Sequence, residues 1–180
     1  AMERREVYAT TGNRLRLRFF GGWNFEEADA NSRELAQVGY EKGVPMGADL
    51  PEAPSAETPP SFLIYALRDP IGANIDRIQI VKGWLDASGE SREKVFNVAW
   101  SDERSLDADS RLPAVGNTVN LHTGKVDNTI GAAQLSAVWS DPEFDSSQSA
   151  FYYVRVLQIP TARHSLLDAI ALGMEHAADH

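Results

Sequence analysis

The run AFYYVRVLQI, residues 150–159, carries two rows of side chains on an extended backbone. Tyr152, Val154 and Val156 point to one side, and Phe151, Tyr153, Arg155, Leu157 and Ile159 to the other. Both rows are largely apolar, aromatic or β-branched, the pattern of a strand near the centre of a sheet. Pro160 ends the run by removing a ladder donor. Tyr152 stands two residues before the core position Val154, where immunoglobulin-like sandwiches carry a corner tyrosine.

Outward from this strand the chain alternates short extended runs with turn signals. Leu15, Leu17 and Phe19 face one way and Arg14, Arg16 and Arg18 the other, giving a half-buried strand closed by Gly21-Gly22. Further strands are expected over residues 61–67, 75–85, 94–100 and 133–139, with shorter ones over 44–50 and 118–123. In the second of these, Ile78 and Ile80 face in and Arg77 and Gln79 out. Residues 24–40 can form a helical turn or two, stopped near Gly39. Pro51 to Pro60 is a proline-punctuated surface loop. Near the end, Ser165 and Asp168 have capping-box spacing before a helical pattern of Leu166, Leu167, Ile170 and Leu172. The fold class is mainly β: an immunoglobulin-like antiparallel β-sandwich with short helical segments near the termini.

A chain of 180 residues with 43% hydrophobic content is long enough to bury one real core. Its 26 acidic against 17 basic residues, net −9, argue against general nucleic-acid binding, which needs a basic face. No run is long enough to span a membrane. With no cysteine, disulfides and thiolate metal sites are excluded. The opening AMERREVYATTG reads as the tail of a helix cut mid-element, so a longer parent protein is expected.

Several features carry possible chemistry. The arginine row Arg14, Arg16, Arg18 can be a solvated strand face, a surface docking on an acidic domain, or a bidentate anion grip. Tyr8, Thr10 and Thr11 place hydroxyls beside the flexible Gly12 turn, a composition that can line a site but also suits an ordinary strand end. Asp102, Asp107 and Asp109, and separately Asp141, Glu143 and Asp145, offer oxygen ligands of the sort calcium uses, without the EF-hand pattern. His176 and His180 have helical spacing but no third ligand, and His122 and His164 are isolated. Trp23, Trp84, Trp100 and Trp139 would suit carbohydrate stacking if they shared a face, and otherwise belong to the core. No nucleophile elbow or phosphate loop is present.

The strings REVYATTG (5–12), RFFGGW (18–23), DRIQIVKGWLD (76–86), NTIGAAQLSAVWSDPEFD (128–145) and AFYYVRVLQIPT (150–161) resemble the C-terminal part of the DUF3604 family. That family looks like a branch of PHP-type metal-dependent hydrolases. The resemblance implies that residues 1–12 are the tail of a preceding catalytic domain, 13–162 an accessory sandwich and 163–180 a C-terminal helix. It implies a divalent metal held by His and Asp in that N-terminal catalytic domain, with no cofactor and no family metal ligand in the present chain. The partner it implies is the same catalytic domain, met through Arg14, Arg16 and Arg18, with Tyr8, Thr10 and Thr11 reaching the substrate entrance. A ligand-binding module of carbohydrate type is the alternative. An independent enzyme would require His122 or His164 to converge with carboxylates.

Overall fold

Alternation of apolar and polar residues sets the strands, and β3 and β4, the strands with the most buried residues, lie inside their sheets. The computed structural model describes residues 2–174. In chain order the elements are β1 (Arg16–Gly22), a 3-10 turn (Glu27–Asn31), α1 (Leu35–Lys42), β2 (Gly43–Pro45), β3 (Ser61–Leu67), β4 (Ile75–Leu85), β5 (Ser91–Trp100), β6 (Gln134–Ser140), β7 (Ala150–Gln158) and α2 (His164–Leu172). The strands form two antiparallel sheets, ordered β2-β1-β3-β6 and β5-β4-β7.

The core lies between the sheets. Leu15, Phe19, Phe62, Ile64 and Ala66 meet Ile75, Ile78 and Ile80, with Tyr152, Val154 and Val156 of β7 packed alongside. Each fully buried isoleucine here contributes roughly 1.5–3 kcal/mol relative to exposure. Phe62 is the aromatic hub, stacked on Phe19 with centroids 5.4 Å apart and 4.6 Å from Tyr152. One side of the sandwich is closed where β5 meets β6, Phe96 lying 5.0 Å from Trp139. The register shift between Ile78 and Gln79 leaves Val98 of β5 as the extra residue of the β4–β5 ladder, whereas the shift between Ile75 and Arg77 on the β7 side makes Asp76 the extra residue of β4, so Ile75 and Ile78 both reach the core.

A second cluster, Phe20, Phe25, Leu35 and Leu63, fills the outer face of the four-stranded sheet. Both rows of β3 are therefore buried, one against the other sheet and one beneath α1. The residues around 24–40 are more helical than the composition suggests, and Gly39 does not stop α1. It sits inside the helix because its bare Cα rests on the Phe20 ring, where an added methyl would overlap it.

Several expectations are corrected. The short strand expected over residues 44–50 contracts to β2, because the chain turns at Gly47 with φ +85°. The strand expected over 118–123 is a turn held by one bridge, Val119–Val126, with Asn120 accepting from His122, Thr123 and Gly124. Ser165 lies inside α2, whose N-cap is Arg163, and no side chain caps it; Gly173, at φ +63°, ends it. The largest correction concerns β7. Among the described residues it is the edge strand of its sheet, paired with β4 alone.

Topology gives that correction a reason. Lettered as an immunoglobulin sandwich, β1, β3 and β6 take the places of strands A, B and E, and β4 and β7 those of C and F. In that arrangement F is flanked by C and G. Among the described residues no strand occupies the place of G, since the chain passes from β7 into α2. Strand β7 thus has the sequence of a central strand in an edge position.

The long connection between β5 and β6 is fastened rather than folded. Arg104 reaches Asp76 at 2.7 Å, and the Asn74 amide donates to the carbonyls of Asn128, Ile130 and Gly131. Substituting Gly39→Ala should lower unfolding free energy by about 1–3 kcal/mol in urea melts, overpacking against Phe20 outweighing the gain in helix propensity.

Candidate functional site

Lys82 continues the inward row of Ile78 and Ile80, so β4 carries its ammonium into the space between the sheets. Its side chain is 4% exposed and the Asp141 carboxylate that meets it at 2.6 Å is fully buried. A second donation goes to the Glu143 carbonyl at 2.7 Å. The Tyr152 hydroxyl donates to the same Asp141 oxygen at 2.7 Å, and Asp141 Oδ1 accepts the Glu143 N–H. Each charge is therefore paired and hydrogen-bonded, the condition under which a buried ion pair is tolerated. Burial, then the hydrogen bond to Asp141 and its negative charge, pushes the Tyr152 phenol well above the usual tyrosine range.

Tyr152 thus stands at the corner between β6 and β7, where the sequence pattern puts it. Its hydroxyl goes to a carboxylate in that connection rather than to backbone. Beside this network lies a hollow of about 430 Å³ walled by Trp23, Pro51, Lys82, Phe144 and Tyr152.

A larger groove, about 740 Å³, follows the open side of the sandwich between β1 and β7. Its floor is Leu15, Leu17, Phe19, Val154 and Val156, and the run from Val7 to Thr11 forms one wall. Tyr8, Thr10 and Thr11 all line it. Two of their hydroxyls serve the chain itself: Tyr8 donates to the Leu15 carbonyl at 3.0 Å and Thr10 to the Asn13 carbonyl at 2.6 Å.

Arg14, Arg16 and Arg18 are exposed as the alternation requires. They share the β1 face that carries Phe20 beneath α1, which is the opposite face from the groove floor. Among the described residues none of the three forms an ion pair; the Arg14 backbone N–H is held by Asp69 at 2.8 Å. Arg18 alone approaches the tyrosine, sharing a separate hollow of about 310 Å³ with Tyr8, Glu6 and Tyr40. The structure therefore gathers Tyr8, Thr10 and Thr11 in one groove and leaves Arg14 and Arg16 outside it.

The acidic loops are occupied by their own turns. Asp102 accepts from Gly131, Asp107 from Asp109 and Arg111, and Asp145 from Ser147. Among the described residues no three His, Cys, Asp or Glu side chains come together. Among the described residues His122 and His164 belong to no group of three such side chains, and His176 and His180 lie outside the described residues. The tryptophans are dispersed: Trp139 in the core, Trp100 bonded to the Arg104 carbonyl, Trp84 under the Lys82 ammonium, Trp23 against Phe144. No described helix is long and apolar enough to cross a membrane.

The Lys82 network escaped a reading of the sequence because lysine and aspartate are taken as solvated by default. Parity held the signal, since Lys82 falls in register with Ile78 and Ile80.

The fold and groove define an immunoglobulin-like sandwich, open along the strand that its sequence marks as central. Compared with known proteins, the chain matches over residues 1–180 the family described as a protein of unknown function, DUF3604, and it belongs to that family. No curated protein and no solved structure matches it.

Replacing Lys82→Met strands the Asp141 carboxylate and should cost roughly 3–5 kcal/mol in denaturant melts. The double change Lys82→Met with Asp141→Leu should recover most of that loss, because it removes both charges. Because the Tyr152 pKa is raised on folding, its contribution is fully present below the ordinary phenol value near pH ~10 and is lost as pH climbs above it. Stability measured by urea melts should fall above that pH, and Tyr152→Phe should flatten the fall.

Proposed function

We propose that this chain is a non-catalytic accessory β-sandwich from the C-terminal part of a PHP-like metal-dependent hydrolase. In this reading it packs on the catalytic domain of the same protein and helps shape its substrate entrance. The divalent metal belongs to that catalytic domain and not to this chain. The observation that supports it is where the polar groups go. Lys82, Asp141 and Tyr152 saturate one another, and Tyr8 and Thr10 bond the chain's own carbonyls. The groove between β1 and β7 is mostly apolar and bordered by the residues that lead into the sandwich. A surface of that kind suits contact with polypeptide better than chemistry.

The test compares this chain with a longer protein that carries it together with the catalytic domain. Both are titrated with divalent metals by calorimetry and assayed on phosphate and carboxylic esters. Turnover confined to the longer protein, with no stoichiometric metal on the chain alone, supports the accessory role. Stoichiometric metal or ester hydrolysis by the chain alone overturns it.

A further inference from the structure

The groove beside β7 has the character of a strand site. It touches residues 152–157 of β7 consecutively, inward-facing Tyr152, Val154 and Val156 as well as outward-facing Tyr153, Arg155 and Leu157. A hollow that meets both rows of one strand lies along its edge. A further hollow of about 460 Å³ continues past Ala150, Phe151 and Tyr152, so the open edge runs nearly the whole length of the strand. In an antiparallel ladder with one partner, every second residue aims its N–H and C=O away from that partner. Among the described residues no backbone hydrogen bond reaches this edge; the segment at residues 7–11 borders the groove without pairing to it.

Sheets guard such edges with proline, lysine, bulges or very short strands. Strand β2, at the other open edge, is three residues long and ends in Pro45. Strand β7 is nine residues long, contains no proline, glycine or lysine, and carries one charge, Arg155. Its place is that of strand F, and the place beside it belongs to G.

Charge identifies what can fill that place. The groove walls hold Arg5 and Arg155 and no carboxylate, in a chain of net charge −9, and one carboxylate, Asp49, lines the hollow that continues it. Arg155 makes no ion pair among the described residues, its guanidinium resting 5.3 Å from the Tyr153 ring centre. Arg5 is two-thirds exposed and only loosely paired with Asp49 at 3.5 Å.

We propose that the groove along β7 binds an extended acidic segment of a partner protein by strand addition, the segment taking the G position with apolar residues over Leu17 and Val154 and carboxylates toward Arg5 and Arg155. Main-chain bonds would supply affinity and the alternating side chains the selectivity. This holds whether or not the chain accompanies a hydrolase, so its failure and that of the accessory reading are separate results.

The probe is a short synthetic peptide alternating valine with glutamate and threonine, titrated into the whole chain by calorimetry, with amide hydrogen exchange followed in β7. The expected result is saturable binding that protects alternate amides within residues 152–157. Arg155→Glu, which leaves the core untouched, should weaken binding roughly tenfold, as a reversed charge at the rim of an interface does. The same peptide N-methylated at alternate backbone nitrogens should not bind. Absence of binding, binding without β7 protection, or equal binding of the N-methylated peptide overturns the proposal. Protection of β7 that rises with protein concentration alone also overturns it, since a second copy of the chain would then be the occupant.

Discussion

An ammonium group carried between two sheets must meet a carboxylate there, and much of the architecture follows from how Lys82 meets Asp141. The inward row of β4 brings the lysine; the residue immediately after β6 brings the acid. For the two to touch, β6 must stop at Ser140 and the connection must turn back over the end of the core. Tyr152, on the same carboxylate oxygen, then fixes where β7 begins its return. One contact thus sets the mutual position of β4, β6 and β7, strands drawn from both sheets. Its net worth against an apolar replacement is small by the usual balance of desolvation and attraction. What it supplies is register, which an oily contact at that depth would leave freer to slide.

The two sheets solve their outer faces differently. The four-stranded sheet buries its outer row beneath α1 and the preceding 3-10 turn, so β3 is apolar on both sides for a visible reason. Among the described residues no helix is packed over the three-stranded sheet. There Phe151 spreads its ring over Gly83, and Tyr153 is sandwiched between Phe151 and Arg155. Val81 beneath them is fully buried even though it lies on the outer side. Large flat side chains on an exposed strand thus roof their own sheet.

Much of this fold is legible in the residues. Period-two alternation locates β1, β3, β4 and β7 closely, and the corner position of Tyr152 is correct. The misreadings have physical sources. Gly39 looks like a helix stop, yet the Phe20 ring beneath it makes the lack of a side chain a packing requirement. Ser165 has the spacing of a cap, but backbone geometry at Arg163 starts the helix first. The groove's membership was only half visible: Tyr8, Thr10 and Thr11 are marked by composition, whereas Arg155 and the β7 edge join them through a strand order that no local pattern encodes. Arg14 and Arg16 are conspicuous in an acidic chain and face elsewhere.

The fastening of the long connection between β5 and β6 bears on how the molecule assembles. Strand pairs β1–β3 and β4–β5 join segments adjacent or nearly so in the chain, whereas β3–β6 and β4–β7 both reach across residues 101–133. Closing that single span delivers β6 and β7 to the two sheets together, so neither sheet completes far ahead of the other. The entropy of closure grows only slowly with span, by about 0.6 kcal/mol per doubling. Lengthening the span would therefore change equilibrium stability little. The rate of reaching the native state is another matter, because it depends on how soon those distant strands are brought home. In Asp76, Arg104 and Asn74 the chain has clasps that shorten the effective span once β4 is in place, and it is in the tempo of folding, more than in its final depth, that their loss would be felt.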